Sequence, residues 1–144
     1  MNRSTTWLIT GSNSGFGLAF ASAALEAGER VVATSRHPEQ LASLIERYGS
    51  SIAAPLLDVA DETQVRRVVA ESVERFGDID VLVNNAGYGS VGAVEEVTAA
   101  DVRRHFDVHV HGPVSLIQAV LPHMRTRGSG AVVTMSSVGG FVAS

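Results

Sequence analysis

The sequence predicts an α/β protein built on a doubly wound parallel sheet, and three observations predict it. Five short apolar or β-branched runs alternate with segments of helical spacing. The runs are near-continuously apolar, as strands covered on both faces are. Two turns that contain glycine, Thr10-Gly11-Ser12-Asn13-Ser14-Gly15-Phe16-Gly17 and Asn84-Asn85-Ala86-Gly87, each follow a strand. A strand, a glycine-rich turn and a helix in that order form a setting for an anion, because the backbone N–H groups and dipole of a helix start face it.

Taken in order, Trp7-Leu8-Ile9 is the first strand. Phe16, Ala19, Phe20, Ala23 and Ala24 fall on one helical face, and Gly28 ends that helix. Arg30 to Thr34 is strand two. Pro38 suits the first position of the next helix, which carries Leu41, Leu44, Ile45 and Tyr48 on one face and stops at Gly49. Ser51 to Leu57 forms strand three, closing on Asp58-Val59. Asp61 caps a third helix, with Gln64 as its capping-box partner, and Val65, Val68, Val69, Val73 and Phe76 supply the buried face. Asp80 to Val83 is strand four.

From Thr98, with Asp101 three residues later, a long helical segment begins, and Pro113 and Pro122 predict a kink or an end within it. Its later part, Val114, Leu116, Ile117, Val120, Leu121 and Met124, is apolar on more than one face. One face covers the sheet; the other suits either a subunit interface or burial within the chain. Gly128-Ser129-Gly130 breaks the helix, and Ala131 to Met135 is strand five. The expected strand order is 3-2-1-4-5, with ligands at the carboxyl ends of strands one and four, where both glycine turns lie.

The 144 residues fit one domain, 1–144. The formal net charge is −4 and the basic residues are scattered, which argues against nucleic acid. Without cysteine there is no disulfide framework and no thiolate metal site. No apolar run has membrane-spanning length and no secretory signal precedes strand one, so a cytoplasmic protein is expected. His105 and His109 stand at i, i+4, but with no third ligand and no glutamate beside His105 a metal site is not expected.

Thr10-Gly11-x-x-x-Gly15-x-Gly17 with Asn84-Asn85-Ala86-Gly87, Asp58-Val59 and Ser136-Ser137 resembles the short-chain dehydrogenase/reductase family, across residues 6–143. The resemblance implies a Rossmann-like nucleotide-binding fold and hydride transfer between a nicotinamide and a carbonyl or alcohol substrate. It places Gly11, Gly15 and Gly17 along the pyrophosphate, with Ser12, Asn13, Ser14 and Phe16 in the same cofactor-binding turn. It gives Asp58 and Val59 to the adenine, and Asn85, Ala86 and Gly87 to the ribose. An acid some twenty residues past the glycines would hold the ribose of NAD, and an arginine the 2′-phosphate of NADP. Thr34-Ser35-Arg36 offers the arginine. NADP(H) is therefore the preferred cofactor, with NAD(H) second; a merely solvated Arg36 is the alternative.

Two departures stand out. The resemblance makes Ser137 the substrate-orienting serine, and a Tyr-x-x-x-Lys pair should follow about a dozen residues later as proton donor and its partner. The only tyrosines are Tyr48 and Tyr88, and the chain has no lysine. The family's Asn-Val-x-Gly is replaced by His109-Val110-His111-Gly112, so His109 takes the asparagine position, as a catalytic substitute or as a ring satisfied by backbone or water. The chain thus reads as the cofactor-binding portion of a reductase, truncated after strand five and inactive alone. A non-catalytic dinucleotide-binding sensor or interaction module is the alternative, and a defective fragment with no cofactor role a third. Strand five would be left as an apolar edge, which with the long helix predicts a homo-oligomer.

Overall fold

The structure is a computed structural model that describes residues 4–140; the sequence ends, Ser144 included, lie outside them. Five parallel strands form one sheet in the order 3-2-1-4-5. They are β1 (Thr6–Thr10), β2 (Arg30–Thr34), β3 (Ile52–Ala53), β4 (Val81–Asn84) and β5 (Ala131–Thr134). The helices are α1 (Gly15–Glu26), α2 (Ala42–Tyr48), α3 (Glu62–Phe76), α4 (Ala99–Phe106) and α5 (Gly112–Arg127).

Alternation along each strand splits the core into two layers. Leu8, Val32 and Leu82 point to one face and pack with Val65, Val68 and Phe76 of α3 and Leu116, Val120 and Met124 of α5. Ile9, Val31, Ala33 and Val83 point to the other and pack with Ala21, Ala24 and Leu25 of α1 and with Leu41. The sheet is therefore the middle of three layers, and the carboxyl ends of β1 and β4 lie side by side, Ile9 opposite Val83.

Several expectations change. The inward face of α1 is Gly17, Ala21, Ala24 and Leu25, whereas Phe16 is 69% exposed and Ala19 and Ala23 face solvent. Gly17 lies inward because the helix start presses on the turn after β1. In α2, Ile45 is exposed. Strand three shrinks to Ile52–Ala53, with one isolated bridge from Ser35 to Leu56. Asp61 does cap α3, its carboxylate accepting from the N–H groups of Thr63 and Gln64. Gln64, however, does not reach back to the Asp61 backbone. Its amide NH₂ donates to the Asp61 carboxylate at 2.9 Å, and its carbonyl accepts from the N–H of Asp58 at 2.9 Å.

The prolines do not end the long helix. Asp107–His111 makes one π-helical turn between α4 and α5, just ahead of Pro113, and α5 runs through Pro122 to a left-handed Gly128. The wide turn absorbs the register change that an imino residue forces on the hydrogen-bond ladder. One face of this segment covers the sheet, while Val102, Phe106, Val110 and Val114 are each more than two-fifths exposed. All four residues of β5 are exposed.

Candidate functional site

A cavity of about 360 Å³ opens where β1 and β4 end, within the range of small-ligand sites. The turn after β1 contributes Gly11, Asn13, Ser14, Gly15 and Phe16, and the turn after β4 contributes Asn85, Ala86, Gly87 and Tyr88. Arg36 and His37 enter from the end of β2, Asp58 and Val59 from the segment before α3, and Arg104 and Val108 from the long helix.

The two turns are bolted together by one hydroxyl. Thr10 Oγ1 accepts hydrogen bonds from the N–H groups of Asn85 (3.0 Å) and Ala86 (2.9 Å) and donates to the Val83 carbonyl (3.3 Å). The Asn85 side-chain amide returns the contact, donating to the carbonyls of Thr10 at 2.9 Å and Gly11 at 3.3 Å. Gly17 closes this joint from the α1 side: a Cβ there would stand 2.2 Å from the Gly11 carbonyl oxygen and 2.5 Å from Asn85 Nδ2. Only a residue without a side chain lets the helix start so near the turn. Gly11 and Gly15 have φ of +66° and +53°, and around Gly15 a Cβ would meet nothing within 4 Å. The first turn of α1 therefore presents bare backbone to the cavity.

Asp58 is held on both oxygens. One accepts from the N–H of Ala60 at 3.0 Å, and the other from the Arg104 guanidinium at 2.7 Å. Burial works to raise its carboxyl, but the hydrogen bonds from Arg104 and Ala60 and the charges of Arg104 and Arg36 outweigh it, leaving the group below the usual carboxylate range. Arg104 is raised in turn, chiefly by that same hydrogen bond.

A match to the short chain dehydrogenase family model spans residues 5–144. The chain belongs to that family. Its members are oxidoreductases that use a nicotinamide dinucleotide on small carbonyl or alcohol substrates. Among curated relatives, an oxidoreductase, BOA17, of Botryotinia fuckeliana is 44% identical over 135 residues, 93% of this chain and 49% of the relative. A 3-ketodihydrosphingosine reductase of Bacteroides thetaiotaomicron is 38% identical, covering 92% of this chain and 47% of its own. The chain spans about half the length of these relatives. Among solved structures, a short-chain dehydrogenase from Streptomyces avermitilis superposes with a TM-score of 0.94 at 47% identity, over 97% of this chain and 52% of that one. A 3-ketoacyl-(acyl-carrier-protein) reductase from Brucella melitensis, solved with NADH, gives 0.87 at 28% identity, over 94% and 58%.

The residues that line the cavity fit a dinucleotide. Positive-φ glycines bare the start of α1, a cation stands at the end of β2, and a carboxylate sits on the wall beside Val59. Eleven of the thirteen residues anticipated for the cofactor line the cavity: Gly11, Asn13, Ser14, Gly15, Phe16, Arg36, Asp58, Val59, Asn85, Ala86 and Gly87. Ser12 and Gly17 do not. Ser12 is buried, its hydroxyl donating to the Ile9 carbonyl at 2.8 Å.

His109 and Ser137 also lie off the cavity lining. His109 Nε2 sits 2.8 Å from the Tyr88 carbonyl oxygen and 3.3 Å from the Tyr88 nitrogen, and its ring occupies the space beside Gly87. It stacks on His105 at 5.3 Å, and Tyr88 meets His105 edge-on at 4.4 Å. The histidine thus braces the loop after β4. Ser137 Oγ accepts from the N–H of Gly139 at 3.2 Å. Sequence reasoning missed Thr10 as the hub and Arg104 as the partner of Asp58. Thr10 ends a strand beside the glycines, a detectable signal; Arg104 is 46 residues from Asp58 with no local cue.

Proposed function

We propose that the chain is an NADP(H)-binding unit of a short-chain carbonyl reductase, and that these 144 residues bind cofactor without turning substrate over. The observation that carries this is the pair of interlocked turns over one cavity with Arg36 on its wall. Among the described residues Arg36 makes no ion pair and no side-chain hydrogen bond, so its fork of donors is free for a phosphate. The α1 amides and Gly15 would receive the pyrophosphate, Asp58 and Val59 the base, and Asn85, Ala86 and Gly87 the ribose. When bound, the nicotinamide supplies or takes the hydride. Proton transfer needs a donor within reach of the substrate oxygen, and neither Tyr48 nor Tyr88 has a lysine partner in a sequence that contains none.

The test is calorimetric titration with NADPH and NADH. Tighter binding of NADPH is expected, and Arg36→Asp should weaken it by at least about tenfold while sparing NADH. Equal affinities unaffected by the substitution would remove Arg36 as the reader. Carbonyl reduction by the purified chain would remove the claim of inactivity.

A further inference from the structure

The cavity wall carries three formally charged side chains: Arg36, Asp58 and Arg104. Asp58 is the only acid among them, and Arg36 is near enough for its charge to act on that carboxylate. A bare carboxylate here would oppose an incoming phosphate and draw the Arg36 guanidinium toward itself. Arg104, reaching over from α4, prevents both, because its nitrogen lies 2.7 Å from Asp58 Oδ2 while the other oxygen is satisfied by Ala60.

We propose that Arg104 is a positioning residue for phosphate recognition: by taking the Asp58 carboxylate it leaves Arg36 uncommitted, and so sets the preference for a phosphorylated dinucleotide. The inference rests on the cavity being a dinucleotide site. With Arg104 in place the three side chains sum to one positive charge; without it they sum to zero, and the attraction for a 2′-phosphate falls while contacts common to NADPH and NADH persist. Arg104 touches no part of that phosphate on this account. It acts through Asp58 and Arg36.

The ratio of NADPH to NADH affinity is the readout, since a structural defect lowers both affinities together. Arg104→Met should reduce that ratio about three- to tenfold. Arg104→Lys, which keeps the charge, should hold it within about twofold. Asp58→Asn, which removes the acid and keeps both arginines, should raise the ratio, and adding it to Arg104→Met should restore what that substitution lost. A parallel loss of both affinities in Arg104→Met, or no rise in Asp58→Asn, overturns the proposal and leaves the dinucleotide site standing. A wild-type chain that binds neither cofactor overturns the site and the proposal with it.

Discussion

At the scale of single residues, two glycines of one motif do different work, and substitution separates them. Gly17 has an ordinary helical backbone and no room; Gly15 has room and a left-handed backbone. Gly17→Ala must push the Gly11 carbonyl or Asn85 aside, an overpacking cost of about 1–3 kcal/mol with the two turns forced apart. Gly15→Ala pays a backbone cost of about 1–2 kcal/mol and leaves the joint intact. Urea unfolding measures both losses, and cofactor titration should show the larger drop in affinity per unit of stability for Gly17→Ala. Both glycines were legible in the sequence as a motif. Which one packs and which one bares the backbone was not, because that depends on Asn85, a residue far along the chain.

Elements were legible where local chemistry decides them. Asp61 and Thr98 mark the starts of α3 and α4, and Gly28, Gly49 and Gly128 mark ends. They were misread where tertiary packing decides. The apolar spacing of α1 points to Phe16, Ala19, Phe20, Ala23 and Ala24, yet of these only Ala24 is buried, and Gly17, Ala21 and Leu25 complete the inward face; the run from Ser51 to Leu57 is long enough for a strand, yet only Ile52 and Ala53 form one, with Leu56 in an isolated bridge. The Arg104–Asp58 pair belongs to this scale too, since it ties α4 to the segment before α3. The folded Asp58 carboxyl lies below its ordinary 3.8, so its contribution is fully present above that pH and is lost as pH falls through the lower folded value. Wild type should therefore melt above Asp58→Asn near neutrality, and the two melting temperatures should converge in acid well below 3.8. A gap independent of pH would deny the pair a stabilising role.

Across the whole molecule, the layered sheet and its strand order were legible because alternating strands and helices permit few topologies. What covers the outer surfaces was not, since apolar spacing is the same whether a face meets its own chain or another. Val102, Phe106, Val110 and Val114 leave an apolar stripe on the long helix, and Val132 and Val133 leave β5 uncovered on both sides. Sedimentation at micromolar protein should give a self-associated species, and Val110→Glu with Val114→Glu should shift it toward monomer; a monomer in the unmodified chain would count against pairing through this stripe. The Thr10 hydroxyl has a last consequence, for the order of assembly. Its partners are 75 and 76 residues downstream, so no early segment can shape the crevice by itself. The phosphate-receiving loop acquires its form only after β4 docks beside β1, and a ribosome must deliver the chain through Ala86 before the nascent protein has anywhere to hold a nucleotide.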